Sequence, residues 1–140
     1  MFKKILVGYD GSENAKKALI VALDLTKKYG AELTAASVAR LPDFAGTRDE
    51  IDGSIEDAKK FFEKGFEEAR ELAGKEGVNL NTAVLVGHPA DALTRLAEKE
   101  GYDLLVLGAR GLSGIKRYLL GSVSTEAARL AHCPVLIVKE

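Results

Sequence analysis

The stretch Lys4-Ile-Leu-Val-Gly-Tyr-Asp-Gly-Ser12 decides the fold, because it passes from an apolar run through turn-forming residues to a helix start. The run around Ile5-Leu6-Val7 is short and rich in strand-favouring residues, which predicts a buried strand from 4 to 9. Apolar residues then recur at three- and four-residue spacing over 15–29, and Gly30 stands where a left-handed C-cap belongs. These features predict one strand–helix unit.

The same alternation continues along the chain. Further strands are predicted at 33–39, 80–86, 104–107 and 135–138, and further helices at 54–76, from 88 to about 99, and at 122–131. The stretch from Arg40 to Gly53 has no period of its own and is predicted to be a long loop. Five apolar strands that alternate with four helices predict one α/β domain over 1–140, with a parallel open sheet covered by helices on both faces. In such three-layer folds, ligands bind beyond the carboxyl ends of the strands.

The composition is that of an ordinary globular protein. Hydrophobic residues make up 46% and charged residues 29% of the 140 positions, and 20 basic against 21 acidic residues give a net charge of −1. This balance favours neither a nucleic-acid nor a membrane partner, and no apolar run approaches the roughly 20 residues that span a bilayer. The single Cys133 forms no internal disulfide, and the start MFKKILVGYD lacks a signal-peptide layout. We therefore expect a cytoplasmic protein.

A glycine-punctuated loop follows the fourth strand. From Gly108 to Ser124 the spacing is G-x2-G-x9-G-S, and the last helix begins at its end. Glycine lets the backbone approach a ligand closely, and the free amides of a helix start offer donors and a partial positive charge. Gly121 would let the amides of Ser122 and Val123 face a ligand, while the serine hydroxyls add donors. The loop therefore predicts a polyphosphate site.

This loop, the opening KKILVGYDGS and the closing HCPVLIVK together resemble the universal stress protein family, in particular its ATP-binding branch, over essentially the whole chain. The resemblance implies a Rossmann-like sheet, similar to that of the adenine nucleotide α-hydrolases, in the order 3-2-1-4-5. Asp10 and Gly108 would then lie on opposite sides of one crevice. It also implies ATP, or AMP or ADP, as the ligand, Mg²⁺ bridging the phosphate oxygens, and a regulatory stress-response role with at most slow hydrolysis.

The resemblance also assigns site residues. Asp10 would contact the ribose or adenine side, Val38 would present backbone groups to the adenine edge, and Gly108 would lie against the ribose. The residues implied around the phosphates are Arg110, Gly111, Gly121, Ser122, Val123 and Ser124, and the predicted set is completed by Gly8 and Tyr9. Relatives can carry proline at the position of Gly8 and histidine at that of Arg110. Arginine suits an anion well.

Several alternatives stay open on the sequence. Asp10 either contacts the nucleotide or caps the first helix, and Tyr9 either stacks on the base or packs under a helix. The chain is either a nucleotide-binding protein, an interaction module of the same fold without nucleotide, or an enzyme that transfers adenylyl groups or cleaves ATP. It has no G-x4-G-K-[ST], G-x-G-x-x-G after the first strand, C-x-x-C or G-x-S-x-G motif, and no identifiable catalytic base.

The last strand predicts an assembly. Val135-Leu136-Ile137-Val138 is apolar on both faces, and the family's strand order places it at a sheet edge. Unpaired amides and carbonyls at an edge attract another strand. We therefore expect a homodimer that pairs these two edges across a two-fold axis.

Overall fold

The computed structural model describes residues 1–40, 48–109 and 121–139. The chain runs through β1 (Lys4–Gly8), α1 (Glu13–Tyr29), β2 (Glu32–Ala39), α2 (Arg48–Lys75), β3 (Leu80–Val86), α3 (Pro89–Lys99), β4 (Leu104–Gly108), α4 (Ser122–Leu130) and β5 (Val135–Val138). The strands form a five-stranded parallel sheet in the order β3-β2-β1-β4-β5. The predicted α/β class and the strand order are therefore confirmed.

The predicted loop from Arg40 to Gly53 is wrong in its second half, because α2 already begins at Arg48. The predicted loop includes Gly53, but a glycine inside a helix costs only about 1 kcal/mol relative to alanine. In a helix of 28 residues that packs along the sheet, this cost is tolerated. Residues 41–47, the middle of the predicted loop, lie outside the described residues.

Each face of the sheet carries its own apolar core. Successive side chains of a strand point to opposite faces, so Ile5 and Val7 pack under α1 and α2, whereas Leu6 packs under α3 and α4. Leu33 and Leu105 continue the two layers on the neighbouring strands. Each fully buried side chain of this size contributes about 1.5–3 kcal/mol. Burial on both faces explains why the central strands β1 and β4 are almost entirely apolar.

Helix α1 is fixed at both ends by local contacts. Ser12 is its N-cap, and the Ser12 Oγ accepts a hydrogen bond from the Ala15 amide at 3.1 Å. Gly30 adopts φ 63° as the C-cap and donates its amide to the Thr26 carbonyl. A side-chain cap of this kind is worth about 1 kcal/mol. These caps hold the start of α1 directly after the end of β1.

The sheet has two exposed edges, formed by β3 and β5. The prediction that the last strand lies at an edge is therefore confirmed. Across residues 1–40, 48–109 and 121–139, no helix has the length and apolar character needed to cross a membrane.

Candidate functional site

The candidate site lies where β1 and β4 end side by side. Chain order reverses at this point, because β2 flanks β1 on one side and β4 flanks it on the other. Val7 pairs with Val106, so the continued register brings Gly108 level with Tyr9. Neighbouring strands lie about 4.8 Å apart. The Tyr9–Asp10 segment and Gly108 therefore meet at the switch point that the fold offers to a ligand.

The turn after β1 is shaped by Asp10. The Ser12 amide donates to Asp10 Oδ1 at 2.9 Å, and Gly11 adopts φ 81°, which favours glycine. Because Ser12 supplies the N-cap of α1, the capping role considered for Asp10 is not the one observed. The Asp10 carboxylate instead folds the chain back at the mouth of the crevice.

The Tyr9 side chain packs under the helices. It is 3% exposed within the core below α1 and α2, and a Cβ at Gly65 would lie 3.6 Å from Tyr9 Cε2. Burial raises the pKa of the Tyr9 phenol, and the nearby Lys16 acts in the opposite direction. The packing alternative is thus the one that the structure shows for this ring. The amide and carbonyl of Tyr9 are hydrogen-bonded to Ala36 and Ser37 of β2.

Gly108 is required by packing as well as being a candidate contact. A Cβ at Gly108 would lie 2.8 Å from the Asn14 carbonyl oxygen and 2.9 Å from its carbon. Real Cβ atoms do not approach backbone this closely, so the start of α1 fits against β4 because position 108 has no side chain. A Cβ at Gly8, on the other face of the sheet, would lie 2.5 Å from Leu107 Cδ2. Gly8 and Gly108, two of the four glycines predicted for the site, therefore have a role in packing.

The Ala109 carbonyl holds α4 beside the end of β4. It accepts the Gly121 amide at 2.6 Å and the Ser124 hydroxyl at 3.1 Å, and this hydroxyl also lies 3.0 Å from the Gly121 carbonyl. Ser124 is 2% exposed, so its nearest acceptors are these backbone oxygens. The hydroxyl expected to donate to a phosphate instead ties α4 to β4. Ala109 and Gly121 are thereby held next to each other.

The first turn of α4 directs backbone donors outward. Its first intrahelical bond runs from the Thr125 amide to the Gly121 carbonyl at 3.1 Å. The amides of Ser122, Val123 and Ser124 precede this bond, so helix geometry provides no intrahelical acceptor for them. Gly121 has no side chain to cap them, and no acidic residue stands in this turn, whereas α1 and α3 each carry one. Within the described residues 1–40, 48–109 and 121–139, no side chain caps these amides, and the positive end of α4 has the character of a helix start that suits an anion.

The backbone of Val38 faces the same crevice. The Ala36 carbonyl accepts the Tyr9 amide at 2.8 Å, whereas the Ala39 carbonyl accepts the Gly87 amide at 2.9 Å on the β3 side. Backbone groups of a strand alternate in direction, so the amide and carbonyl of Val38 point toward β1. The β1–β2 ladder has ended by then, since its last pair is Gly8 with Ala36. Val38 therefore offers one donor and one acceptor beyond the end of β1.

The structure brings together most of the predicted site residues. Gly8, Asp10, Val38, Gly108 and the start of α4 all belong to the carboxyl ends of β1, β2 and β4 or to the turns that follow them. Arg110 and Gly111 lie outside the described residues.

Sequence analysis missed Ser37 and Ala109. Ser37 donates its hydroxyl to the Tyr9 carbonyl, and a polar residue near the end of the apolar run LTAASVA was a usable signal. Ala109 acts through its carbonyl oxygen, for which the residue type gives no sign.

A groove of about 480 Å³ lies at the opposite end of the sheet. The residues that line it include Thr26, Gly30 and Gly77, where α1 and α2 end. Helix C-termini present carbonyl oxygens and a partial negative charge. This groove therefore suits a phosphate-bearing ligand less well than the crevice at the start of α4.

Comparison with known proteins adds independent information. Residues 1–139 match the family model of the universal stress protein family. The chain is 37% identical over 150 residues to universal stress protein YxiE of Bacillus subtilis, with 99% of this chain and 100% of that protein covered.

Two similar solved structures contain nucleotides. One is a universal stress protein in complex with cAMP, at 30% identity and a TM-score of 0.76, with 98% of this chain and 97% of the other covered. The second is the universal stress protein from Archaeoglobus fulgidus in complex with dAMP, at 26% identity and a TM-score of 0.70, with 99% and 98% covered. Family model, sequence relatives and solved structures agree over nearly the whole length, and the chain belongs to the universal stress protein family.

Proposed function

We propose that this protein binds an adenine nucleotide, with ATP as the principal ligand, in the crevice between the ends of β1 and β4. The observation that carries the proposal is the first turn of α4, whose amides have neither a side-chain cap nor an acidic neighbour within that turn. A helix start of this kind binds anions. The complexes of two family members with cAMP and dAMP support adenine as the base.

The two ends of the crevice suit the two ends of the ligand. The amides of Ser122 and Val123 would bind phosphate oxygens, and Mg²⁺, which prefers phosphates together with water, would offset the phosphate charge. Val38 would bind the adenine edge through its amide and carbonyl, and Asp10 and Gly108 would flank the ribose between them. In this arrangement the chain supplies binding groups to every part of the ligand.

The proposed role is regulatory. Occupancy of the crevice would alter the surface formed by the starts of α1 and α4, and a cytoplasmic partner would respond to that surface. Hydrolysis would be at most slow, because the sequence offers no identifiable catalytic base for attack on the γ-phosphate.

Calorimetry tests the proposal directly. We expect a saturable heat signal when the purified protein is titrated with ATP and Mg²⁺. The affinity should be lower for AMP and cAMP, because they offer fewer phosphate oxygens, and lower still for GTP. Absence of heat at millimolar ATP would exclude ATP as the ligand. Equal affinity for ATP and GTP would exclude recognition of the base.

The edge strand β5 supports the proposal of a homodimer. The carbonyls of Pro134 and Val138 accept the amides of Leu105 and Ala109 from the β4 side, at 3.0 and 2.9 Å. Backbone groups alternate in direction, so those of Ile137 point away from the sheet. A second β5 that pairs with this edge would use the Ile137 amide.

We expect Ile137→Pro to yield a monomer that remains folded, because proline is tolerated where the lost amide points out of an edge strand. Ile137→Ala, which keeps the amide, is the matched control and should stay dimeric. Light scattering over a range of concentrations measures both. A wild-type protein that has the monomer mass at every concentration contradicts the dimer.

A further inference from the structure

Ser37 is a buried polar residue near the carboxyl end of β2. It is 2% exposed, and its neighbours along the strand are Ala36 and Val38. Its hydroxyl donates a hydrogen bond to the Tyr9 carbonyl, at the point where β1 ends. A buried hydroxyl that donates to a backbone carbonyl of the neighbouring strand changes how the two strands can pair.

The pairing it changes is the last step of the β1–β2 ladder. The Tyr9 amide donates to the Ala36 carbonyl at 2.8 Å. In a regular parallel ladder the next bond would run from the Val38 amide back to the Tyr9 carbonyl. The ladder instead ends at Gly8 and Ala36, and the Tyr9 carbonyl accepts the Ser37 hydroxyl.

We propose that Ser37 determines base specificity by keeping the Val38 amide out of the ladder, an inference that rests on the proposed adenine-nucleotide site. Because the Ser37 hydroxyl donates to the Tyr9 carbonyl, this buried oxygen keeps a hydrogen bond when the Val38 amide binds a ligand instead of joining the ladder. Val38 then keeps a donor and an acceptor in the crevice. Ser37 is thus a positioning residue, since it acts on the ligand through Val38.

The chemistry of the bases explains why this pair selects adenine. The Watson–Crick edge of adenine places an acceptor ring nitrogen beside an amino donor, which matches the Val38 amide and carbonyl. Guanine presents a ring N–H donor beside a carbonyl acceptor at the same edge, so donor would face donor and acceptor would face acceptor. Unpaired buried polar groups of this kind produce discrimination that apolar contacts do not.

The ladder can be tested without any nucleotide. In Ser37→Ala the Tyr9 carbonyl loses its donor, and we expect it to recruit the Val38 amide. The through-hydrogen-bond scalar coupling between the Val38 amide nitrogen and the Tyr9 carbonyl carbon, measured by NMR, should be absent in the wild type and present in the variant. A coupling already present in the wild-type protein overturns the proposal, and so does its absence from the variant.

Binding measurements test the specificity. We expect Ser37→Ala to lower the affinity for ATP about tenfold and to leave the affinity for inorganic tripolyphosphate unchanged. The affinity for ATP would then be close to that for GTP. Thr34→Val is the matched control, because Thr34 accepts a buried hydrogen bond from the Tyr102 hydroxyl at 2.9 Å near the other end of the same strand. It should lower stability and leave the ATP-to-GTP ratio unchanged.

The outcomes separate this inference from the proposed function. If the wild type binds no ATP, the proposed function fails, whereas the NMR result still decides whether Ser37 ends the ladder. If Ser37→Ala lowers the affinities for ATP and tripolyphosphate equally, the residue acts on the whole crevice and the specificity role is overturned. An unchanged ATP affinity in Ser37→Ala overturns it as well.

Discussion

Replacement of Ser122 by proline should reduce ATP affinity by roughly 10- to 150-fold while leaving the protein folded. Proline removes the Ser122 amide, one of the donors proposed for the phosphates, and a hydrogen bond to a charged group is worth about 1.5–3 kcal/mol. The first helical position tolerates proline. Gly121 has φ −67° and ψ 162°, which suits a residue before proline. In α3 of the same chain, Pro89 already stands at the helix start.

The matched control is Ser122→Ala, which removes the hydroxyl and keeps the amide. We expect it to bind ATP within a few-fold of the wild type, so that the difference between the two variants isolates the backbone donor. Calorimetry gives the affinities, and circular dichroism with thermal unfolding gives the fold. If the proline variant is folded and binds ATP as tightly as the alanine variant, α4 does not hold the phosphates.

Much of the fold could be predicted because local and long-range requirements coincide. The run Ile5-Leu6-Val7 is buried on both faces, and the caps at Ser12 and Gly30 mark the limits of α1 as the sequence indicated. The position of the crevice depended on the strand order, which the resemblance to the family implied, because a switch point is a property of strand order. The prediction of a polyphosphate ligand rested on the spacing of the glycines from Gly108 to Gly121.

What could not be predicted depends on contacts between distant segments. The Ser124 hydroxyl donates to the Ala109 carbonyl and not to a ligand, and this contact requires α4 to lie beside β4. The role of Ser37 requires the ends of β1 and β2 to be in register. The early start of α2 at Arg48 had a different cause. The stretch up to Gly53 has no period of its own and contains a proline and two glycines, which predicted a loop, whereas a long helix tolerates a glycine.

These differences change how the glycine loop is understood. On the sequence alone, the glycines of this loop predict points where the backbone approaches a ligand. In the structure, Gly108 is also the point where α1 approaches β4, through the backbone of Asn14. A residue that serves both purposes cannot be assigned to ligand binding from a loss of binding alone, so its contribution to stability has to be measured separately.

We therefore expect Gly108→Ala to lower the free energy of unfolding by about 2–3 kcal/mol even without nucleotide. The new Cβ would lie 2.8 Å from the Asn14 carbonyl oxygen and 3.1 Å from the Asn14 Cβ. Two of the three nearest atoms belong to the backbone of α1, so relief requires a shift of the helix and not of a flexible side chain. Overpacking of this kind typically costs 1–3 kcal/mol. Urea unfolding monitored by circular dichroism measures the change.

Gly53→Ala provides the control with the opposite sign. Gly53 lies inside α2, and among the described residues a Cβ there would meet no heavy atom within 4 Å apart from its chain neighbours and the adjacent backbone of its own helix. Alanine has the higher helix propensity, so this variant should gain about 0.5–1 kcal/mol. If Gly108→Ala unfolds at the same urea concentration as the wild type, α1 does not pack against β4 as closely as described. A loss of ATP binding in that variant would then have to come from the crevice itself, because the helix would not have moved.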